Sequence, residues 1–264
     1  MYDFAYHKPK TVADALAAAK KGDEAKFMAG GMTLIPTLKQ RLARPSDVVD
    51  LGALGDLKGI KVDGSGVTIG AMTKHAEVAA SAEVAKAIPA LAKLAANIGD
   101  AQVRNRGTIG GSVANNDPAA DYPAALVALG ATVHTNERKI AADDFFKGMF
   151  ETALKDGEMI TAVSFPVPKK AAYMKFPNPA SRYAMVGVFV ADTAGGARVA
   201  VTGAGPGVFR VKDMEAALGK SWSADSVASI KVPAGGLNND IHASREYRAH
   251  LVTVMAKRAV AAAG

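Results

Sequence analysis

The stretch 104-RNRGTIGGSVANNDPAADYPAAL-126 decides how the rest of the chain is read. Two arginines, adjacent glycines, paired asparagines and two aspartates crowd together before an apolar run starts at Ala124. Bare backbone beside positive charge suits an anion, because glycine lets N–H groups approach a phosphate with no side chain between them. In "TIGGS" the candidate residues are Thr108, Ile109, Gly110, Gly111 and Ser112. Asp117 and Asp121 pull the other way, since a carboxylate is repelled by a diphosphate. Both fit one site if Asp121 accepts hydrogen bonds from sugar-like hydroxyls while the glycine amides hold phosphate. The local alternative is that Asp121 caps a helix with Pro123 in its first turn. Arg104 and Arg106 either offset an anion's charge or are simply solvated.

A second glycine pair lies upstream. "AKFMA" reads as a short buried strand running into Ala29, Gly30, Gly31, Met32 and Thr33, after which "TLIPTLKQRLA" returns to helical spacing. Thr33 is a possible cap, and Pro36 comes early enough in the helix to be tolerated. Strand, glycine turn, helix is a phosphate-site pattern, although a turn needing positive φ also selects Gly-Gly. Two such loops in one domain suit a cofactor with a pyrophosphate, provided that they converge.

Around them the chain alternates elements without a regular βα repeat, which argues an α+β fold. "TVADALAAAKKG" is a helix with Thr11 as N-cap and Asp14 three residues on. "DVVDLG" is a strand, and "GIKVDGSGVTIG" a hairpin turning at Asp63–Gly66. Helices are expected at 73–81, 84–96 and 122–129, and strands at 131–135 and in "EMITAVSFPVP". Pro166 and Pro168, followed by two lysines, mark a domain boundary. The expected organisation is a domain over 1–168 with two subdomains split near 52–58, then a second domain over 169–264. That second domain opens as an antiparallel hairpin, "YAMVGVFVADTAGGARVAVTGAG". Helices follow at 211–218, at 223–230 and from Ser244, the last with Tyr247, Leu251, Val254 and Met255 on one face.

Composition narrows the chemistry. Without cysteine the chain forms no disulfide and ligates no iron–sulfur cluster. Five histidines are scattered without metal-ligand spacing, so no metal site is expected. The net charge of +7 is dispersed and not interleaved with aromatic residues, which argues against nucleic acid and suits an anionic cofactor or an acidic partner surface. No apolar run is long enough to cross a bilayer and the start lacks a signal pattern, so no membrane insertion and a cytoplasmic location are expected. "VTGAGPGVFRVKDMEAAL" imitates a dinucleotide fingerprint. Its third glycine falls one place short, and Pro206 removes an N–H, so it reads as a tight strand-to-helix connection.

In this order, "AGGMT", "IGAMTKHAEVAAS", the opening stretch and "GEMITAVSFPVP" resemble the FAD-binding medium subunit of the molybdenum hydroxylases, nearest the carbon monoxide dehydrogenase type and related to the flavin domain of xanthine dehydrogenase. "SRYAMVGVFV", "GAGPGVFRVKDMEAALG" and "DIHASREYRAHLVTVMAKRAV" resemble that family's C-terminal domain, so the likeness spans nearly the whole chain. The resemblance implies a noncovalent FAD held in the two-subdomain fold shared with vanillyl-alcohol oxidase. Residues 29–33 and 108–112 match its diphosphate loops, and Asp121 matches the acid that meets cofactor hydroxyls. Ile160 matches a backbone and apolar contact near the ring, and Lys175 and Tyr183 match ring-side positions. Met32 and Ser112 stand where the family often has a polar residue and Asn.

The resemblance also implies a molybdenum cofactor in a large partner and iron–sulfur clusters in a small one, in a dimer of heterotrimers. This FAD would pass electrons onward, and no residue of this chain need act as an acid–base catalyst. A self-sufficient flavin reductase or oxidase of the same fold, and a scaffold subunit without flavin, are the alternatives.

Overall fold

The computed structural model describes residues 1–64 and 66–264; Ser65, in the expected hairpin turn, lies outside them. The first sheet is parallel and three-stranded, ordered Ala5–His7, Asp47–Asp50, Ala25–Met28. Helix Val12–Lys21 packs on it, and its N-cap Thr11 accepts from the Asp14 amide at 3.1 Å, as the sequence predicts. Ala15, Ala19, Val49 and Leu54 form a small core beneath it, closed by Met72 and Met159 from the next layer.

The second sheet is antiparallel and five-stranded, with Ile160–Phe165 at its centre between Gly66–Gly70 and Thr132–Thr135. Ile60–Asp63 and Lys139–Ala141 form its edges. Helices cover it, among them Tyr122–Leu129, in which every residue is buried. A helix apolar all round needs cover on all sides. Here the third sheet supplies the far side through Phe189, Ala191 and Ala200, which join the main core.

That third sheet is antiparallel, ordered Lys170–Pro177, Ala184–Thr193, Gly196–Thr202, Phe209–Arg210. Strand Ala184–Thr193 is buried on both faces, because alternate residues point opposite ways. Val186, Val188 and Val190 pack with Leu251, Val252 and Met255 of helix Arg245–Ala263.

Several expected elements differ. The helix after Gly31 runs only Leu34–Lys39, and Arg41 has a φ of 59° beyond it. The 73–96 stretch is three helices, His75–Ala80, Ala82–Ala87 and Pro89–Ala96, broken at Ser81 and before Pro89. Much of the opening segment is helical, as Ala101–Arg106 and Ile109–Asn115. Tyr247 lies off the packed stripe of the last helix and is 44% exposed; Arg248 takes a buried place instead, with its guanidinium on the Met185 and Gly203 carbonyls.

Candidate cofactor-binding site

The two glycine loops, nearly 80 positions apart in sequence, meet in space. A Cβ on Gly30 would lie 1.9 Å from the Arg106 carbonyl oxygen and 3.0 Å from the Gly107 Cα, so the chains touch backbone to backbone. A Cβ on Gly111 would stand 3.4 Å from the Ala29 Cβ. Gly31, with a φ of 74°, turns the strand into the short helix, a conformation that L side chains rarely adopt.

The loops offer different chemistry. Among the described residues, the amides of Gly30, Gly31, Met32 and Thr33 donate to no protein acceptor. Thr33 stands at the cap position without a side-chain cap bond. Four successive unengaged N–H groups on glycine-rich backbone form a cradle for an anion. The second loop is instead the first turn of a helix, and its amides are engaged. Ile109 donates to Thr73 O, Gly110 to Ala71 O, Gly111 to the Thr108 hydroxyl and Ser112 to Thr108 O. The 108–112 amides therefore already have acceptors within the protein, unlike those of the first loop. Gly110 is small because a Cβ would sit 2.5 Å from the Ala71 Cβ, and Gly111 leaves room for the first loop. Ser112, in the same turn, is half-buried.

Gly107 is fixed from behind, since its Cβ would fall 2.6 Å from His75 Nε2. Burial, with Arg104 adding to it, pushes the His75 imidazole down to about 4, so the ring is neutral near pH 7. Arg104 is engaged locally, donating to the Ile98 and Gly99 carbonyls at 3.1 Å, while Arg106 is exposed.

Asp121 is buried and makes no cap bond. Its oxygens accept from the Tyr173 hydroxyl at 2.5 Å and from Lys175 Nζ at 3.1 Å. Lys175 Nζ also donates to Asn97 O at 2.7 Å. Burial raises the Asp121 carboxyl, while Lys175 and Tyr173 oppose that by favouring the carboxylate. The capping alternative fails because these partners hold the side chain elsewhere, and two of the expected contact residues are paired to each other. Tyr173 was missed by sequence reading; its signal is its place two residues before Lys175, which puts both on one face of a strand. Beside this cluster lies a cavity of about 570 Å³ lined by Arg104, Lys175 and Arg182. Its size is that of a small-molecule site.

Tyr183 is 50% exposed, in the turn between the first two strands of the third sheet, and its hydroxyl is raised by partial burial and by the nearby Asp117 and Asp121. Asp117 and Asp121 stay in place because the third sheet grips their loop. Thr202 donates to the Pro118 and Ala120 carbonyls, and the Gly203 amide donates to Pro118 O. Ile160 is buried in the main core, so only its backbone is available; the neighbouring Thr161 carbonyl accepts from Ala71, whose own carbonyl accepts from Gly110. Met32 is 38% exposed. Among the described residues no cluster of three His, Asp or Glu side chains could hold a metal, and no helix is long and apolar enough to cross a membrane.

These residues fit a dinucleotide cofactor on two observations. One is the cradle of free amides backed by glycine contacts that leave no room for a Cβ; the other is the buried polar cluster beside a cavity. Comparison with known proteins agrees. The model described as "FAD binding domain in molybdopterin dehydrogenase" matches residues 2–168, and that of the "CO dehydrogenase flavoprotein C-terminal domain" matches 171–263. The carbon monoxide dehydrogenase medium chain of Afipia carboxidovorans is 41% identical over 203 residues, 74% of this chain and 70% of that one. The nicotine 6-hydroxylase medium subunit of Paenarthrobacter nicotinovorans is 36% identical over 273 residues, 98% and 96% of the two. A solved structure of reconstituted CO dehydrogenase from Oligotropha carboxidovorans superposes with a TM-score of 0.91 at 35% identity, covering 99% of this chain and 98% of that one. With the fold and both halves matched, the chain belongs to the family of FAD-binding domains of molybdopterin dehydrogenases that carry a CO dehydrogenase flavoprotein C-terminal domain.

Proposed function

We propose that this chain is the FAD-carrying medium subunit of a molybdenum hydroxylase complex. It would pass electrons from the iron–sulfur clusters of a small partner to an external acceptor while a large partner oxidises the substrate at molybdenum. The observation that carries this is the run of unengaged amides at Gly30–Thr33 held against the second loop. In this reading they hold the FAD diphosphate, Ala29 and Thr108 support the contact between the loops, and Ser112 contributes its hydroxyl.

In the same reading Lys175 and Tyr183 stand at the ring side, and Asp121, paired with Lys175, meets hydroxyls of the cofactor. In this reading Lys175 favours added electrons on the ring, and Asp121, itself held by Tyr173, keeps that lysine in place. The backbone at Ile160 backs the same end. Bound FAD supplies the electron chemistry, accepting and releasing electrons singly or in pairs. The chain's part is binding, orientation and electrostatics, and no side chain acts as an acid–base catalyst.

The same reading divides the chain into an FAD-binding domain, 1–168, split near 52–58, and a C-terminal domain, 169–264. The changes of sheet between Asp50 and Ile60 and between Phe165 and Lys170 support it. A dimer of heterotrimers and a cytoplasmic location belong to it too. The substrate is selected in the large partner, and the names of the relatives span carbon monoxide and nicotine.

The test is reconstitution. The purified chain is expected to take up FAD and show a flavin spectrum that bleaches when substrate is added with both partners. A chain that gains no flavin favours the scaffold alternative, and one that turns over substrate alone favours the self-sufficient flavoenzyme.

A further inference from the structure

A second cavity lies away from the cofactor loops. It is a groove of about 600 Å³ on the C-terminal domain, walled by the Gly205–Val208 loop, strand Phe209–Arg210, the 231–237 loop and the root of hairpin 146–152. Gly205 and Gly207 of the fingerprint-like "GAGPGVFR" line this groove.

Four observations indicate what fits it. Gly207 and Gly235 are glycines without an internal reason. A Cβ at either would meet nothing within 4 Å, and neither has a φ in the left-handed range. The space that side chains would take is groove, so an occupant can approach the backbone there. Strand Phe209–Arg210 ends its sheet, leaving an edge open to pairing with an added extended segment. The rim is positive: Lys147 and Lys231 have no carboxylate partner among the described residues, and Lys212 reaches only Glu215, at 3.3 Å. The carboxylates of Glu215 and Asp143 are engaged by Arg210, which leaves Asp213 as the carboxylate set against those lysines.

The fourth observation is the hairpin. Its tip exposes Met149 and Phe150, 54% and 58% accessible, and Phe150 has a φ of 57°. A bulky residue in the left-handed region is strained and needs an anchor. Buried Asn116 provides it, donating to the Gly148 and Glu151 carbonyls at 2.8 and 2.7 Å and accepting from the Phe150 amide at 3.1 Å. An exposed apolar pair held rigidly beside an apolar groove is the arrangement of a docking surface.

We propose that this groove and hairpin tip receive an extended apolar segment, flanked by acidic residues, from a partner subunit of the complex. This rests on the medium-subunit reading above. Charge complementarity chooses the occupant, since a second copy of this chain, at +7, brings like charge to the lysine rim.

The test uses the FAD-loaded chain and separately purified large and small subunits. The doubly filled variant Gly207→Leu/Gly235→Leu should fold normally, since a Cβ at either position meets nothing within 4 Å, and should keep its flavin. Its Kd for one partner is expected to rise at least tenfold. Lys212→Glu/Lys231→Glu should weaken binding similarly and flatten its salt dependence. A photo-cross-linker at Val208 should join to an acid-flanked segment of that partner. Folded variants that assemble like wild type, or cross-links only to a second copy of this chain, overturn the proposal and leave the medium-subunit reading standing. A wild-type chain that carries flavin yet binds neither partner overturns both.

Discussion

Gly30→Ala is the sharpest single perturbation of the loop contact. The added methyl would sit 1.9 Å from the Arg106 carbonyl oxygen and 2.6 Å from its carbon, where real contacts do not fall below 3.0 Å. Both obstacles are backbone, so neither swings aside, and the loops must part by about 1 Å. Overpacking of this kind costs about 1–3 kcal/mol. If the shift breaks one amide bond to the charged diphosphate, about 1.5–3 kcal/mol of binding is lost, or roughly 10- to 150-fold in Kd. At fixed excess FAD, the stabilisation conferred by the cofactor then falls by the same amount, about 1.5–3 kcal/mol. Titration of the apoprotein with FAD, followed by flavin fluorescence, reads the first quantity; thermal unfolding with and without FAD reads the second. Gly219→Ala, whose methyl meets nothing within 4 Å, is the matched control. A folded Gly30→Ala protein that binds FAD as tightly as wild type refutes the argument, because the loop contact then has no part in holding the cofactor.

Other consequences follow from the buried polar groups. Lys175→Met strands Asp121 without its cation and should cost about 3–5 kcal/mol in denaturant unfolding, part of which Asp121→Asn/Lys175→Met recovers because no charge is left unpaired; a Lys175→Met protein of wild-type stability rules the buried pair out. Hydrogen bonds from Arg138, aided by the Lys155 amide and Thr135, lower the Glu158 carboxyl from its usual 4.5 to about 2. Because the folded value lies below the unfolded one, this stabilisation is complete above about pH 4.5 and is lost as pH falls toward 2. Glu158→Gln should flatten that acid limb, and an unchanged profile of stability against pH argues that the pair does not form. Asn116→Ala leaves the Gly148 and Glu151 carbonyls without their donor, at about 1–3 kcal/mol each if they stay buried. Hydrogen exchange across 146–152 should quicken, and unchanged protection would mean that the hairpin is held by something else.

What the sequence made legible was local or periodic. The Thr11 cap, the strand–glycine–helix turn at 25–34 and the alternation along 184–193 each show in neighbouring residues. Helix Ile109–Asn115 did not, because two glycines in its first turn lower helix propensity, while the contacts that demand them, Ala71 and Ala29, lie far away in sequence. The same distance hid the fate of Asp121. Its partners Tyr173 and Lys175 are 52 and 54 positions on, in a strand whose first residues, Lys-Ala-Ala, carry little β signal. The glycines of the second loop are crowded by Ala71 at Gly110 and by Ala29 at Gly111, a relation that only coordinates reveal.

Residue-resolved amide hydrogen exchange, with and without saturating FAD, tests most directly whether the first loop holds the diphosphate. The amides of Gly30, Gly31, Met32 and Thr33 should exchange freely in the apoprotein and become protected when FAD binds, whereas Ile109 to Ser112 should be protected in both states. If FAD binds while residues 30–33 keep exchanging at the apoprotein rate, the diphosphate lies elsewhere and the assignment of the site is wrong.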